Sequence, residues 1–336
     1  MPRNIQVAVA LSGGVDSVVA ASLLQEQGYQ VLGVHLLLAD TSPPPEHLAD
    51  LARSLNIPLK TLDLRQEFGD LVVRYFLEAY RRGRTPNPCV TCNAVIKFGV
   101  LWEKAQAWGA ARLATGHYVR LRFLPHGEPA LYRGADRDKD QSYFLCRLPR
   151  EVLPHLLFPL GEFTKAEVRR RARELGLPLS PKCRESREIC FIKDERYLHF
   201  IARQLGRLGP AGEVVDRQGR RLGRHRGLEG YTVGQRRGLG IPGPEPYYVL
   251  EIQPEANRLV VGTKRELLST GLRASQVNWL TEPPTAALEV TAVIRYRHPG
   301  VVHFASPQAA VAPGQAVAFY QNERLLGGAW IEERID

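Results

Sequence analysis

Two rhythms of apolar and polar residues divide this chain. From the N-terminus to about residue 120, short unbroken apolar runs alternate with stretches that are apolar at helical spacing. The runs IQVAVAL (5–11), YQVLGVHLLLA (29–39), PLKTLDL (58–64) and ARLATGHY (111–118) read as buried strands. Between them, VVAASLLQEQG (18–28), PPPEHLADLARSLNI (43–57), DLVVRYFLEAYRRG (70–83) and KFGVLWEKAQAWG (97–109) read as amphipathic helices, the first closed by Gly28. Strand–helix alternation of this kind predicts a doubly wound parallel sheet covered on both faces. A further helix is expected over 163–177, where Thr164 and Glu167 form a capping-box pair.

After about residue 205 glycine becomes frequent and short β-like runs take over: YYVLEI, RLVVG, LEVTAVIRYR and AVAFY. The expected organisation is an α/β domain over 1–204, a central β-rich domain over 205–277 and a C-terminal β-barrel-like domain over 278–336. The proline-bearing stretch NWLTEPPTAA (278–287) reads as a linker between the last two.

Composition narrows the function classes. A 44% apolar fraction over 336 residues excludes a disordered chain. No apolar run approaches the ~20 residues of a membrane span, and the N-terminus lacks a signal-peptide pattern. Five cysteines, an odd count, then point to a reducing cytoplasm. The formal charge of +10 is carried mostly by arginine, which suits a polyanionic partner.

The first chemistry lies in LSGGVDS, Leu11 to Ser17, between the first strand and its helix. Glycines there let backbone N–H groups approach an anion, and the helix N-terminus favours negative charge. Ser12 and Ser17 can donate to phosphate oxygens, and Asp16 can hold a Mg²⁺ ion. Neither the Walker pattern nor the dinucleotide fingerprint is present. The second chemistry lies in TPNPCVTCN, 85–93, where Cys89 and Cys92 form a C-x-x-C in a proline-stiffened loop. Half a zinc site, a redox pair, cluster ligands and unrelated thiols are all open readings there. Cys146, in YFLCRL, reads as a core residue, and His117 as a polar turn residue rather than a zinc ligand.

SGGVDS resembles the PP-loop of ATP pyrophosphatases. RTPNPCVTCN, ATGHYVR, DRDKDQSYFL, SREICFI and YTVGQRRGLGI follow it in order. Together these motifs, spanning nearly the whole chain, resemble the bacterial tRNA-specific 2-thiouridylases of the MnmA type. The resemblance implies ATP-dependent thiolation of C2 of the wobble uridine. It implies ATP contacts from Ala10, Leu11, Ser12, Gly13, Gly14, Val15, Asp16, Ser17, Leu36 and Gly116. It implies that Asn87, Pro88 and Cys89 lie against the target base. Lys139, Asp140 and Gln141, with Arg295 and Tyr296, would touch the tRNA. Cys92 and Cys190 match the two functional cysteines, loaded by an upstream sulfur-donor protein. Many members carry Asp where this chain has Cys89, and the segment 39–45 is shorter than usual. Two sulfur routes stay open. One is a persulfide on Cys190, released as Cys92 and Cys190 form a disulfide. The other is a [4Fe-4S] cluster on Cys89, Cys92 and Cys190 with one open iron; Cys183 is a candidate further ligand. The rival classes are a PP-loop ligase acting on a small molecule and a non-catalytic zinc or RNA-binding module.

Overall fold

The computed structural model describes residues 5–39, 48–176, 189–192, 197–295, 298–300 and 303–335. Five strands form the first sheet: β1 (Gln6–Ala10), β2 (Gln30–Leu37), β3 (Leu59–Asp63), β4 (Arg112–Ala114) and, after the β5–β6 hairpin (Val119–Phe123, Pro129–Arg133), β7 (Leu156–Leu157). Their order is β3-β2-β1-β4-β7, and every pairing is parallel. β1 lies between its sequence neighbour β2 and the later β4. The order therefore reverses between β1 and β4, and the crevice beyond their carboxyl ends is where such sheets bind ligands. The β1 residues Val7, Ala8 and Val9 have no exposed surface, as burial on both faces of a parallel sheet requires.

Helix α1 (Val15–Glu26) follows β1, and α2 (Leu48–Ser54) precedes β3. The expected helix over 70–83 is part of a longer helical run whose middle, Gly69–Val73, winds as a π-helix before Arg74–Arg81 resumes α geometry. A second π segment, Asn93–Val100, leads into the helix Leu101–Ala107. The helix Lys165–Glu174 starts at the expected Thr164–Glu167 capping box, with both reciprocal bonds present.

The chain is β-rich beyond the helix Tyr197–Leu205. β8 (Gly212–Val215), β9 (Arg221–His225), β10 (Tyr248–Gln253) and β11 (Arg258–Gly262) form a four-stranded sheet of their own. The last sheet contains β12 (Leu268–Trp279), β13 (Thr291–Arg295), β14 (His298–Gly300), β15 (His303–Ala309), β16 (Ala316–Gln321) and β17 (Arg324–Ile335). β12 runs unbroken through residue 277, where composition alone places a boundary, because it pairs with β17 as far as Trp279.

Two features weld the last sheet to the first domain. The β5–β6 hairpin extends it, with Leu131 and Tyr132 of β6 registered against Leu325 and Arg324 of β17. A single apolar cluster also runs from Ala8 and Val34 through Tyr143, Leu145 and Cys146 to Ala316, Tyr320 and Leu325. Among the described residues no helix is long and apolar enough to cross a membrane.

Candidate active site

The phosphate-loop half of the site is built at the switch point. Gly13 has φ +80°, a conformation glycine adopts without steric cost, and it turns the chain from β1 into α1. Gly14 is the N-cap of α1 and brings no side-chain cap, so the first N–H groups keep their capacity for an outside acceptor. Ser12 and Ser17 brace the loop: Ser12 N–H donates to Ser17 Oγ (3.2 Å) and Ser17 Oγ–H to the Gly14 carbonyl (3.0 Å). Beyond β4, Gly116 lies directly on this turn. A Cβ there would stand 2.9 Å from Asp16 C and 3.0 Å from Ser17 N. The cradle thus suits a phosphate chain: open backbone donors, two hydroxyls and no side chain in the way.

Asp16 does not face this cradle alone. Its carboxylate accepts from Lys165 Nζ through both oxygens at 2.7 Å and from Tyr118 Oη at 2.7 Å. Lys165 is buried, at the first turn of its helix, beneath the Tyr118 ring. Neither Lys165 nor Tyr118 stood out as a site residue in the sequence. A signal existed: a lysine at a helix N-terminus opposes the helix dipole and calls for a nearby anion. Asp16 fits a Mg²⁺ ion only if Lys165 releases it.

The thiol half lies on the segment after Tyr80. Cys89 and Cys92 are not on an extended loop. They sit three residues apart on the short helix Pro88–Cys92. Pro88 at its first position is preorganised for helix, and the Asn87 side chain caps it by accepting from Val90 N–H at 3.2 Å. Cys92 is buried among Phe76, Ile96 and Phe191, whereas Cys89 and Cys190 reach the surface. Burial pushes the Cys92 thiol up to about 12, with Lys97 pulling it down and Cys190 and Cys89 adding to the rise. The Cys89 thiol is also raised, first because neighbouring chain desolvates its sulfur and then by Cys190; Lys97 opposes both. The three thiols therefore feel one another, and all are free. Among the described residues no group of three His, Cys, Asp or Glu side chains is placed to hold a metal ion, so no step is assigned here to a cluster.

The two halves adjoin. His117, next to Gly116, is fully buried against Phe98 and Phe158, and its Nδ1 bonds Thr115 Oγ1 at 2.7 Å. Burial, and then Lys97, hold its pKa well below the usual histidine value, so the ring is neutral. Lys97 thus lies within electrostatic reach of both His117 and the cysteines. Leu36, at the end of β2, packs against the cluster that holds Cys92.

This chain matches the family model described as the tRNA methyl transferase HUP domain over residues 5–194. Its PRC-barrel companion matches 198–263 and the aminomethyltransferase β-barrel model 269–331. It is 45% identical to a tRNA-specific 2-thiouridylase MnmA of Syntrophotalea carbinolica, covering 98% of this chain and 99% of the relative. The relative of the same name in Geobacter metallireducens is 44% identical over 97% of this chain and 96% of its own length. The chain belongs to the MnmA-type tRNA-specific 2-thiouridylase family. Its PP-loop fold and ATP-using loop are those of that family.

Some residues expected at the tRNA surface have internal work in this member of the family. Asp140 is buried, and its carboxylate accepts from Gly134 N–H, Ser142 N–H, Ser142 Oγ and Arg133 at 2.9–3.3 Å. Four donors saturate it, so its carboxylate shapes the turn instead of facing a ligand. Gln141 accepts from Tyr118 N–H at 3.0 Å, and Asn87 is spent on its cap. Pro88 is buried; Lys139 is partly exposed. Cys146 is wholly buried, its thiol pushed up to about 12 by desolvation, as expected of a core residue. Tyr296, Cys183 and most of the shortened segment near 39–45 lie outside the described residues, as does the side chain of Arg295.

Proposed function

We propose that this protein thiolates C2 of the wobble uridine of tRNA in an ATP-dependent reaction, working in the cytoplasm and receiving sulfur from an upstream carrier protein. The observation that carries the proposal is the adjacency of a phosphate-binding turn and a cysteine group across the Gly116–His117–Lys97 contact. ATP, when bound, supplies an adenylyl group that converts the C2 oxygen into part of a good leaving group. The turn's N–H groups, Ser12, Ser17 and Lys165 would hold the phosphates and the charge that grows on departing pyrophosphate. A Mg²⁺ ion would add to this at Asp16 once Lys165 has moved to the phosphates.

Sulfur would arrive on exposed Cys190, the thiol a carrier protein can reach, with Cys92 beside it to resolve the persulfide as a disulfide. Cys89 in place of the family's usual aspartate makes the three-thiolate [4Fe-4S] route the second reading for this chain. The arginine-rich β segments around 217–237 would hold the anticodon arm by its phosphates. Methyl transfer, the activity in the family model's title, needs neither a phosphate loop nor grouped thiols.

The test is mass-spectrometric detection of 2-thiouridine in tRNA incubated with protein, ATP and a persulfide donor. Cys92→Ala and Cys190→Ala should each abolish the product while ATP–pyrophosphate exchange persists. Full product with either variant overturns the sulfur-transfer reading. Anaerobic purification with iron and sulfide analysis separates the routes, as does Cys89→Ala, which should be severe only if a cluster operates.

A further inference from the structure

The segment that carries the thiols is gripped, residue by residue, by a turn more than 200 positions later. Arg84 pairs with Glu332 at 2.6 Å. Thr85 N–H donates to the Pro313 carbonyl at 2.8 Å. Gln315 Nε2 donates to the carbonyls of Thr85 (3.1 Å) and Pro86 (2.9 Å), while Gln315 Oε1 accepts from Asn87 Nδ2 at 3.4 Å. Asn87 Nδ2 also donates to Tyr143 Oη, which in turn donates to the Ala316 carbonyl.

The gripping turn is itself rigid. Gly314 N–H donates to the Ile331 carbonyl and Ile331 N–H to that of Gln315, which fastens it onto β17. Gly314 has φ +89°, and a Cβ there would fall 2.8 Å from Arg84 Cβ and 3.0 Å from Thr85 O, so the two backbones could not approach if any other residue stood there. Asn87 is the pivot. One face of its side chain meets Gln315, and the other caps the helix that bears Cys89 and Cys92.

We propose that Gln315 is a positioning residue for sulfur transfer: through Thr85, Pro86 and Asn87 it sets where the Cys89–Cys92 helix stands, and so keeps Cys92 enclosed beside Cys190. The C-terminal sheet thereby aligns the thiols, while the phosphate loop, built on β1 and β4, is independent of it. The inference rests on the sulfur-transfer role proposed above.

The test uses the full chain as Gln315→Ala and as Gln315→Glu, the second nearly isosteric but without a donor for the two carbonyls. Three quantities are read in protein shown by circular dichroism to be folded. They are the rate of Cys92 alkylation by iodoacetamide, kcat and KM for tRNA thiolation, and ATP–pyrophosphate exchange. Both variants should label Cys92 about tenfold faster and lose about tenfold in kcat, the factor for one net hydrogen bond. KM for tRNA and exchange should stay at wild-type values. Unchanged labelling and kcat overturn the proposal. So does a parallel fall in exchange and rise in KM, which would make Gln315 general interdomain glue. Labelling is independent of catalysis: if Cys92→Ala still thiolates tRNA the sulfur-transfer reading fails, yet the labelling result still reports whether Gln315 holds the helix.

Discussion

Gly116→Ala tests whether the two loops at the switch point touch as described. The glycine's φ is not in the left-handed region, so an added methyl group meets a problem of space alone. Its carbon would lie 2.9, 3.0 and 3.1 Å from Asp16 C, Ser17 N and Asp16 O, about 0.5 Å inside ordinary contact at 3.4 Å. These are backbone atoms of the first turn of α1, which cannot rotate aside, and α1 is fixed by buried Val18, Val19 and Ala20. Overpacking of this kind costs about 1–3 kcal/mol. The strain would be relieved by moving the phosphate turn about 0.5 Å, roughly the tolerance of a productive site, so exchange should fall about tenfold or more. Urea unfolding should show a lower midpoint at unchanged slope. Gly28→Ala is the control. It has φ +87° and nothing within 4 Å. It should cost about 1–2 kcal/mol from backbone strain and leave exchange alone. Wild-type stability and exchange in Gly116→Ala would refute the close approach. Equal loss of exchange in Gly28→Ala would trace the effect to general destabilisation.

Lys165→Met leaves Asp16 with only Tyr118 among the contacts described above; single-turnover AMP formation should fall about 10²-fold or more while filter binding of tRNA is unchanged, and Lys165→Arg should recover part of the loss. His117 is held neutral in the fold, its pKa well below the unfolded value of about 6.5, so below that pH the unfolded chain takes up a proton that the native chain refuses. Stability should therefore fall as pH drops below about 6.5, by up to about 1.4 kcal/mol per pH unit from this group. Urea titrations at pH 5–7 should show that slope reduced in His117→Gln; an unchanged slope would place the proton uptake elsewhere.

The parts that could be read from sequence are those where local pattern and tertiary role coincide. IQVAVAL followed by SGGVDS declares a buried strand, a tight turn and a helix start, and these determine the phosphate cradle. Thr164 and Glu167 declare the helix they cap, a bond set that closes within four residues. The cysteine segment was harder because Pro86 and Pro88 speak for a stiff loop and equally for a helix start; the Asn87 cap decides it, and Asn87 is held by residues from far along the chain. Asp140 illustrates the opposite error. An acidic residue in a polar turn near a substrate motif looks like a ligand contact, yet four internal donors consume it. The β5–β6 hairpin gives no local hint that it will extend a sheet made mostly of residues beyond 267, since register across such a separation is set by shared burial.

On the proposed reading the two halves of the site also divide the reaction in time. A thiol at about 12 is protonated at neutral pH and is a poor nucleophile, so Cys92 as it stands cannot be the group that first meets sulfur. Cys190 and Cys89 reach the surface and can. Cys92 gains reactivity only when its desolvation is relieved or when charge near Lys97 changes, and both follow from movement of the helix that Asn87 caps and Gln315 holds. Enclosure then protects the resolving thiol until an activated base is present, and the phosphate turn, braced by Ser12 and Ser17 within its own loop, can carry out activation without that helix moving. Adenylation without thiolation is thus the expected phenotype of damage to the C-terminal turn, whereas damage to Lys165 or Gly116 should stop both.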